Sequence, residues 1–454
     1  MTESAANSPL SAKKVFIRTF GCQMNDYDSG KMLEQLREEN YRETDDPRKA
    51  DLILLNTCAI REKSEHKVFS LLGALADIKA RKPELVIGVG GCVAQQKGEQ
   101  ILARAGVVDL VFGTDNLFEL PAMLKKVAGG ERVNHTGWRR NGSRIENFVP
   151  AFGPRADGVP LVKGTIAITK GCNNFCSFCV VPHTRGREVS REPENILAEA
   201  RGLVEQGAKE ILLLGQNVNS YRAGKEGFIH LLRRLNELPG LERIRYTSPH
   251  PKDFREELAW AHRELPKLCE HLHLPFQSGS DRILKSMRRN HGIAEYLDKI
   301  KLVRQAVPAI SVSTDIIVGF PGETEEDFAA TLQVMRTVRF DHIYAFKFSG
   351  RSQTPAVDYP GQLAEPEKTE RLARLHELHG TILGGIQQKM IGSRQEILLE
   401  GVHPRDQGAM IGRTRGNKST TIAGCAREPG ELVPVEIVAT RKFSLVGMEA
   451  QSEC

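Results

Sequence analysis

The chain has 454 residues, a formal net charge of +6, and 40% hydrophobic against 26% charged residues. That balance suits a globular protein of roughly two to four domains, and it excludes a low-hydrophobicity disordered chain. No apolar run is long enough to cross a bilayer, and a charge this mild permits a nucleic-acid partner without requiring one.

Met1 to Ala12 is small and polar, lacks the apolar core of a signal peptide, and reads as a loose tail on a cytoplasmic protein. Nine cysteines on such a chain point to metal or redox use rather than to a disulfide framework.

Residues 13–130 alternate strand and helix patterns, as in an open parallel α/β sheet. Val15–Thr19, Asp51–Asn56, Leu85–Val89 and Val107–Phe112 read as strands. Ser29–Glu39, Arg61–Ala80 and Leu117–Val127 read as helices. Cys22, Cys58 and Cys92 each fall just beyond the C-terminal end of a predicted strand, where open α/β sheets form their ligand crevice. Gly21, Gly90 and Gly91 beside them let backbone approach a bound group closely. One cysteine at a strand end is an ordinary core residue. Three in successive units predict a second three-thiolate site with an open position.

From Ala128 to Pro160 the periodicity fades into Gly, Arg, Asn and Pro around Trp138-Arg139-Arg140, and the stretch reads as a linker.

Residues 158–390 form the second region. Its predicted strands are Thr165–Thr169, Glu210–Leu214, Arg243–Thr247, His271–Leu274, Val312–Val318 and His342–Phe348. Predicted helices at Pro193–Gln206, Phe228–Leu238, Lys252–Leu265, Ile293–Gln305 and Glu325–Thr337 separate them. Repeated βα units predict a partial (β/α)6 barrel whose chemistry lies on the loops at the C-terminal strand ends. The first such loop carries Cys172, Cys176 and Cys179 in the spacing C-x3-C-x2-C. Three thiolates on one tight loop suit an iron–sulfur cluster with one open iron. With His183 they also make a plausible zinc set. The later strand ends carry Gly215-Gln216-Asn217, Thr247–Pro251, Pro275–Ser280, Gly319–Glu323 and Ser349-Gly350-Arg351, which together look like the wall of a cofactor pocket.

Residues 391–454 show short alternating runs at Glu396–Leu399, Thr420–Ile422, Val433–Ile437 and Ser444–Val446, broken by Gly and Pro, as in a small antiparallel β-barrel. Arg413, Arg415 and Lys418 lie on a predicted Gly-rich loop that suits phosphate contacts, or a plain exposed turn. Cys269, Cys425 and Cys454 show no partner pattern and read as structural or incidental.

The cysteine loop, with the aromatic Phe178 before its last thiol, resembles the signature of the radical S-adenosylmethionine superfamily. Nearly the whole chain resembles its methylthiotransferase branch, which joins a three-cysteine N-terminal domain, a radical core and a C-terminal TRAM barrel. The resemblance rests on Thr19–Asn25, Asn56-Thr57-Cys58, Gly90-Gly91-Cys92, Leu274–Gly279 and Cys172–Arg187. His183 stands where the family often has Tyr.

The resemblance implies two 4Fe–4S clusters and S-adenosylmethionine. Cys172, Cys176 and Cys179 would hold the cluster that cleaves S-adenosylmethionine to a 5′-deoxyadenosyl radical. Cys22, Cys58 and Cys92 would hold an auxiliary cluster that carries the inserted sulfur. Phe178 would pack on the cofactor's adenine, and Gly215, Gln216 and Asn217 would grip its amino group. Gln277 and Ser278 would reach the ribose, Arg289 the carboxylate, and Gly319 the adenine. The implied substrate is N6-isopentenyladenosine beside the anticodon of tRNA, with C2–H converted to C–SCH3. An electron donor such as flavodoxin or ferredoxin and an iron–sulfur carrier accompany it, and a monomer is the default expectation for the chain. Two sibling branches act on threonylcarbamoyladenosine in tRNA or on a ribosomal-protein aspartate. Gln23-Met24-Asn25 and the His183 stretch favour the first branch. A zinc-bound, non-catalytic RNA-binding protein is the alternative of another class.

Overall fold

The computed structural model describes residues 12–59, 62–138 and 161–450. The expected N-terminal tail, the larger part of the expected linker, and Cys454 lie outside the described residues. The chain forms two compact units, one of residues 1–146 with 180–187, the other of 147–179 with 188–454. These differ from the divisions expected at 130, 158 and 390. The short segment Val180–Arg187 belongs to the first unit, and the C-terminal barrel belongs to the same unit as the core.

The first unit is built on six parallel strands in the order Tyr41–Glu43, Lys13–Thr19, Leu52–Thr57, Val86–Gly91, Leu110–Phe112, Val133–His135. Leu52–Thr57 is buried at every position because helices cover both sheet faces. Leu52 and Leu54 join Met32 and Leu36 of helix Gln23–Glu38 on one face. Ile53 and Leu55 join Val68, Leu72 and Leu75 of helix Glu62–Arg81 on the other. The two edge strands and helix Cys92–Arg104 escaped the sequence reading, the edges because three residues carry no usable alternation.

Strand order reverses between Lys13–Thr19 and Leu52–Thr57, whose ends align as Thr19 against Asn56. Such a switch point opens a crevice outside the carboxyl ends of the strands. Cys22 and Cys58 follow those two strands, and Cys92 follows the neighbouring Val86–Gly91.

In the second unit six parallel strands stand where the sequence put them. They form two three-stranded sheets, Lys163–Ala167, Glu210–Leu214, Arg243–Tyr246 and His271–His273, Ser311–Val318, His342–Lys347. A bridge from Ile244 to Leu268 joins them into an open half-barrel. Ile166, Ile211, Leu213, Ile244, Leu272, Val312 and Ile343 face the outer helices and form one continuous core. The alternate residues, among them Glu210, Arg243, Arg245, His271, His273 and Ser313, are polar and face away from it.

The C-terminal residues close a five-stranded barrel in the order Arg394–His403, Asp406–Thr414, Ser419–Ala423, Leu445–Glu449, Leu432–Thr440. Met410 to Thr414, expected as loop, is strand; Gly408 and Gly412 masked its alternation. Only Arg415 to Lys418 makes the turn, with Asn417 at φ 64°. Cys269 is buried in the core, and Cys425 packs against the small barrel. Among the described residues no helix is long and apolar enough to cross a membrane.

Candidate functional site

The loop after Lys163–Ala167 is closed by a two-residue ribbon, Thr169–Lys170 against Val189–Ser190. Gly171 turns the chain at φ 77°, and its N–H donates to Gln216 Oε1 at 2.6 Å. Ser177 fixes the middle of the loop. Its N–H donates to Met287 O at 3.0 Å, its hydroxyl to Ser286 O at 2.8 Å, and its carbonyl accepts from Ala356 N at 2.9 Å. Cys172 and Cys176 are buried and Cys179 half-buried. Two of the sulfurs already accept hydrogen bonds: Cys172 from Asn174 N at 3.3 Å and Cys176 from Arg289 Nη1 at 3.7 Å. Burial pushes the Cys172 thiol up, so a positively charged ligand such as iron is what would favour its thiolate.

The pocket wall is partly as expected. A Cβ on Gly215 would stand 2.0 Å from Thr169 Oγ1, so only glycine passes there. Gln216 spends its side-chain oxygen on the cysteine loop. Asn217 donates to Asp253 at 2.7 Å, while its buried Oδ1 has no partner and suits a ligand ammonium. Arg289 donates to Pro275 O at 2.9 Å beside Cys176, and its buried Nε is unpartnered, which suits a carboxylate. Gln277 holds φ 71° between Asp315 O and Ile317 N. Phe178 packs against Ile283, Met287 and Phe320.

Two residues differ from expectation. Ser278 is fully buried and its oxygen accepts from Ser280 N, so it shapes the turn rather than facing a ligand. The space over Gly319 is filled by the stem of Lys368, 2.4 Å from where a Cβ would sit.

The sequence reading assigned no role to a histidine pair at this rim. The rings of His250 and His291 meet edge-on at 5.8 Å. Burial, with Arg289 adding to it, holds His250 far below the ordinary imidazole range and lowers His291 to about 4. Both imidazoles are therefore neutral at physiological pH.

In the first unit, Gly21 at φ 112° brings the chain so close to Cys58 that an added Cβ would lie 2.4 Å from its Sγ. Cys22 and Cys58 are hydrogen-bonded neighbours, which lowers the Cys22 thiol, while burial pushes Cys92 up. Asn25 ties the loops together, donating to Phe20 O and Thr57 O at 2.9 Å each. Its Oδ1 accepts from the Cys22 thiol at 3.7 Å.

Among the described residues no three His, Cys, Asp or Glu side chains converge as ligands of a single ion. A cluster makes a different demand, since each thiolate binds its own iron. His183 is exposed.

The three C-terminal cations are spent within the second unit. Arg413 pairs with Glu400 at 3.1 Å, Arg415 grips both oxygens of Glu270 at 2.7 and 2.8 Å, and Lys418 pairs with Asp341 at 2.5 Å. The fully buried Arg243 donates to Arg413 O, and Arg245 to the carbonyls of Thr414 and Arg415, so the hairpin covers the N-terminal end of the core strands. Each of the three expected phosphate-contacting cations thus has a carboxylate partner, Glu270 and Asp341 from the core and Glu400 from the barrel.

Residues 14–113 match the family described as uncharacterized protein family UPF0004, residues 166–335 the radical SAM superfamily, and residues 388–448 the TRAM domain. A curated protein of Acidithiobacillus ferrooxidans named tRNA-2-methylthio-N(6)-dimethylallyladenosine synthase is 45% identical, over 96% of this chain and 97% of its own. One of the same name from Geotalea uraniireducens is 44% identical, over 96% and 98%. Among solved structures, the fold is similar to the radical S-adenosylmethionine methyltransferase TsrM of Kitasatospora setae, with cobalamin and a 4Fe–4S cluster bound. The TM-score is 0.58 at 15% identity, over 77% of each chain. It is also similar to the cobalamin-dependent radical enzyme OxsB, with a TM-score of 0.51 at 13% identity over 82% of this chain and 56% of that one.

Proposed function

The chain belongs to the radical S-adenosylmethionine family of tRNA methylthiotransferases, and on that premise we infer that it converts N6-isopentenyladenosine, also called dimethylallyladenosine, into its 2-methylthio derivative. The adenosine lies on the 3′ side of the anticodon. What supports this reading is that three cysteines follow the first core strand on one loop, while Cys22, Cys58 and Cys92 each follow one of three adjacent strands of a parallel sheet.

Family membership brings S-adenosylmethionine and a 4Fe–4S cluster. Cys172, Cys176 and Cys179 are the proposed ligands of that cluster. When bound, the group supplies the one-electron chemistry needed to break the adenine C2–H bond, which is neither acidic nor open to nucleophiles. The chain's own residues bind and orient. Asn217 Oδ1 is an acceptor for the cofactor ammonium, and Arg289 a cation for its carboxylate. Gln216 and Ser177 hold the cysteine loop rigid from both sides. The neutral His250 and His291 add no positive charge beside Arg289.

We assign a second cluster, the carrier of the inserted sulfur, to Cys22, Cys58 and Cys92. The fit rests on three thiols gathered in one crevice, with a backbone at Gly21 that a side chain would obstruct. A tRNA partner, a small one-electron donor of the flavodoxin or ferredoxin kind, and a cytoplasmic site of action complete the proposal.

Nucleoside mass spectrometry of tRNA from cells lacking this chain tests it. Loss of 2-methylthio-isopentenyladenosine with accumulation of isopentenyladenosine is expected. Persistence of that nucleoside, with loss of the threonylcarbamoyl counterpart, would move the chain to a sibling branch.

A further inference from the structure

A guanidinium lies close enough to Cys22 and Cys92 for its charge to act on both thiols. Arg185 comes from Val180–Arg187, the segment that directly follows Cys179 in the chain and packs within the first unit. It is 3% exposed. Its Nη2 donates to Asp28 Oδ2 at 2.7 Å and to Asn25 Oδ1 at 2.8 Å. That same Asn25 oxygen accepts from the Cys22 thiol, so the guanidinium and a sulfur of the site converge on one atom. The next residue back, Thr184, is tied down as well, its carbonyl accepting from Thr114 Oγ1 at 2.5 Å.

A buried Arg–Asp pair contributes little net stability compared with a packed apolar pair. Its value must come from what it faces. Three thiolates in a desolvated crevice carry negative charge; among the described residues Arg185 is the cation whose charge acts on both Cys22 and Cys92, while Asp28 adds to the negative charge and Asn25, Thr57 and Thr184 are neutral. Arginine keeps its proton throughout the physiological range and is weakly hydrated, which suits a permanent buried cation.

We propose that Arg185 is a positioning residue of the Cys22–Cys58–Cys92 site: held by Asp28 and Asn25, it offsets thiolate charge and favours an anionic sulfur ligand, a sulfide or thiolate, on the metal there. The inference rests on the reading that these thiols hold a cluster. A fixed cation beside a cluster stabilises its more negative, reduced state and raises its midpoint potential. It also attracts an anionic ligand to the open position.

The test uses full-length chains with Cys172, Cys176 and Cys179 replaced by Ala, reconstituted anaerobically, so that iron reports the N-terminal site alone. Arg185→Gln is expected to bind iron with a more negative midpoint in a potentiometric EPR titration. It should need roughly tenfold more sodium methanethiolate to change the EPR signal. Arg185→Lys should return both values towards the parent. Iron lost in Arg185→Gln and regained in Arg185→Lys supports the same role. An unchanged midpoint and methanethiolate response in Arg185→Gln overturns it, as do equal changes or equal iron loss in both variants, which mark a packing role. If the parent binds no iron, or Cys22→Ala in it loses none, the cluster reading itself fails before Arg185 is altered and takes this inference with it.

Discussion

One set of three cysteines is written on a single loop; the other is gathered from three strand ends. The loop set lies on one short stretch of chain, shaped by a glycine turn and a short ribbon and then fastened by the bonds of Ser177 to Ser286, Met287 and Ala356. The sheet set exists only once Lys13–Thr19, Leu52–Thr57 and Val86–Gly91 have paired in register. A local site fails one ligand at a time. A distributed site also fails when the sheet that gathers it is disturbed. The two therefore answer differently to mutation, and the largest expected effect separates them by chemistry. Cys172→Ala should abolish both reductive cleavage of S-adenosylmethionine and product. Cys22→Ala should abolish product yet leave release of 5′-deoxyadenosine intact. Product formation by Cys22→Ala would end the sulfur-carrier assignment, and loss of cleavage in that variant would merge the two sites into one functional unit.

A geometric substitution comes next. Gly21→Ala places a side chain on a backbone at φ 112° and within 2.4 Å of Cys58 Sγ. Left-handed strain for a non-glycine residue costs about 1–3 kcal/mol before the clash is counted. Anaerobic iron analysis of this variant should show the N-terminal complement lost and the central one kept. Retention of both complements would mean that the crevice relaxes and that its thiols are not tightly gathered.

The same contrast explains what was legible in the sequence. C-x3-C-x2-C can be read because its chemistry is local, and so can each of the six core strands, whose apolar alternation matches the observed elements. Cys22, Cys58 and Cys92 could be placed at strand ends. That Cys22 and Cys58 flank a reversal of strand order depended on the three-residue edge strand Tyr41–Glu43, which has no readable pattern. Arg185 was equally hidden. It sits among residues that belong by sequence to the core, and only the fold assigns it to the first unit. The cations of the C-terminal hairpin were hard to read for a related reason: Glu270 and Asp341, which pair with Arg415 and Lys418, are far away in sequence, while Glu400, the partner of Arg413, lies on the neighbouring barrel strand.

Those cations belong to neither thiol site, and the contrast predicts that they affect neither. Arg415→Ala removes a bidentate carboxylate contact and bonds to the carbonyls of Pro266 and Leu268. A stability loss of about 2–3 kcal/mol is expected by thermal unfolding, with both iron complements unchanged. The salt dependence of tRNA binding should also stay as it was. A slope reduced by about one for each cation removed would return Arg413, Arg415 and Lys418 to the RNA interface.

The smallest effect concerns how the central rim is fastened. Helix Glu325–Val338 begins with a capping box in which Thr324 and Asp327 satisfy each other's backbone N–H. Asp327 also accepts from the Ser280 hydroxyl at 2.6 Å and pairs with Arg282, so one carboxylate staples the loop after His271–His273 to the loop after Ser311–Val318. Burial alone would raise its pKa; the bonds from Ser280, the Thr324 N–H and Arg282 prevail and lower it to about 2. A carboxylate depressed in the folded state contributes stability above its unfolded pKa, and that contribution is lost as pH falls through the folded value. Thr324→Ala should cost about 1 kcal/mol near neutrality. Asp327→Asn should lower Tm at neutral pH, and its deficit against the parent should shrink as the pH is brought from about 5 towards 2. A deficit constant across that range would show that the staple works through shape rather than charge.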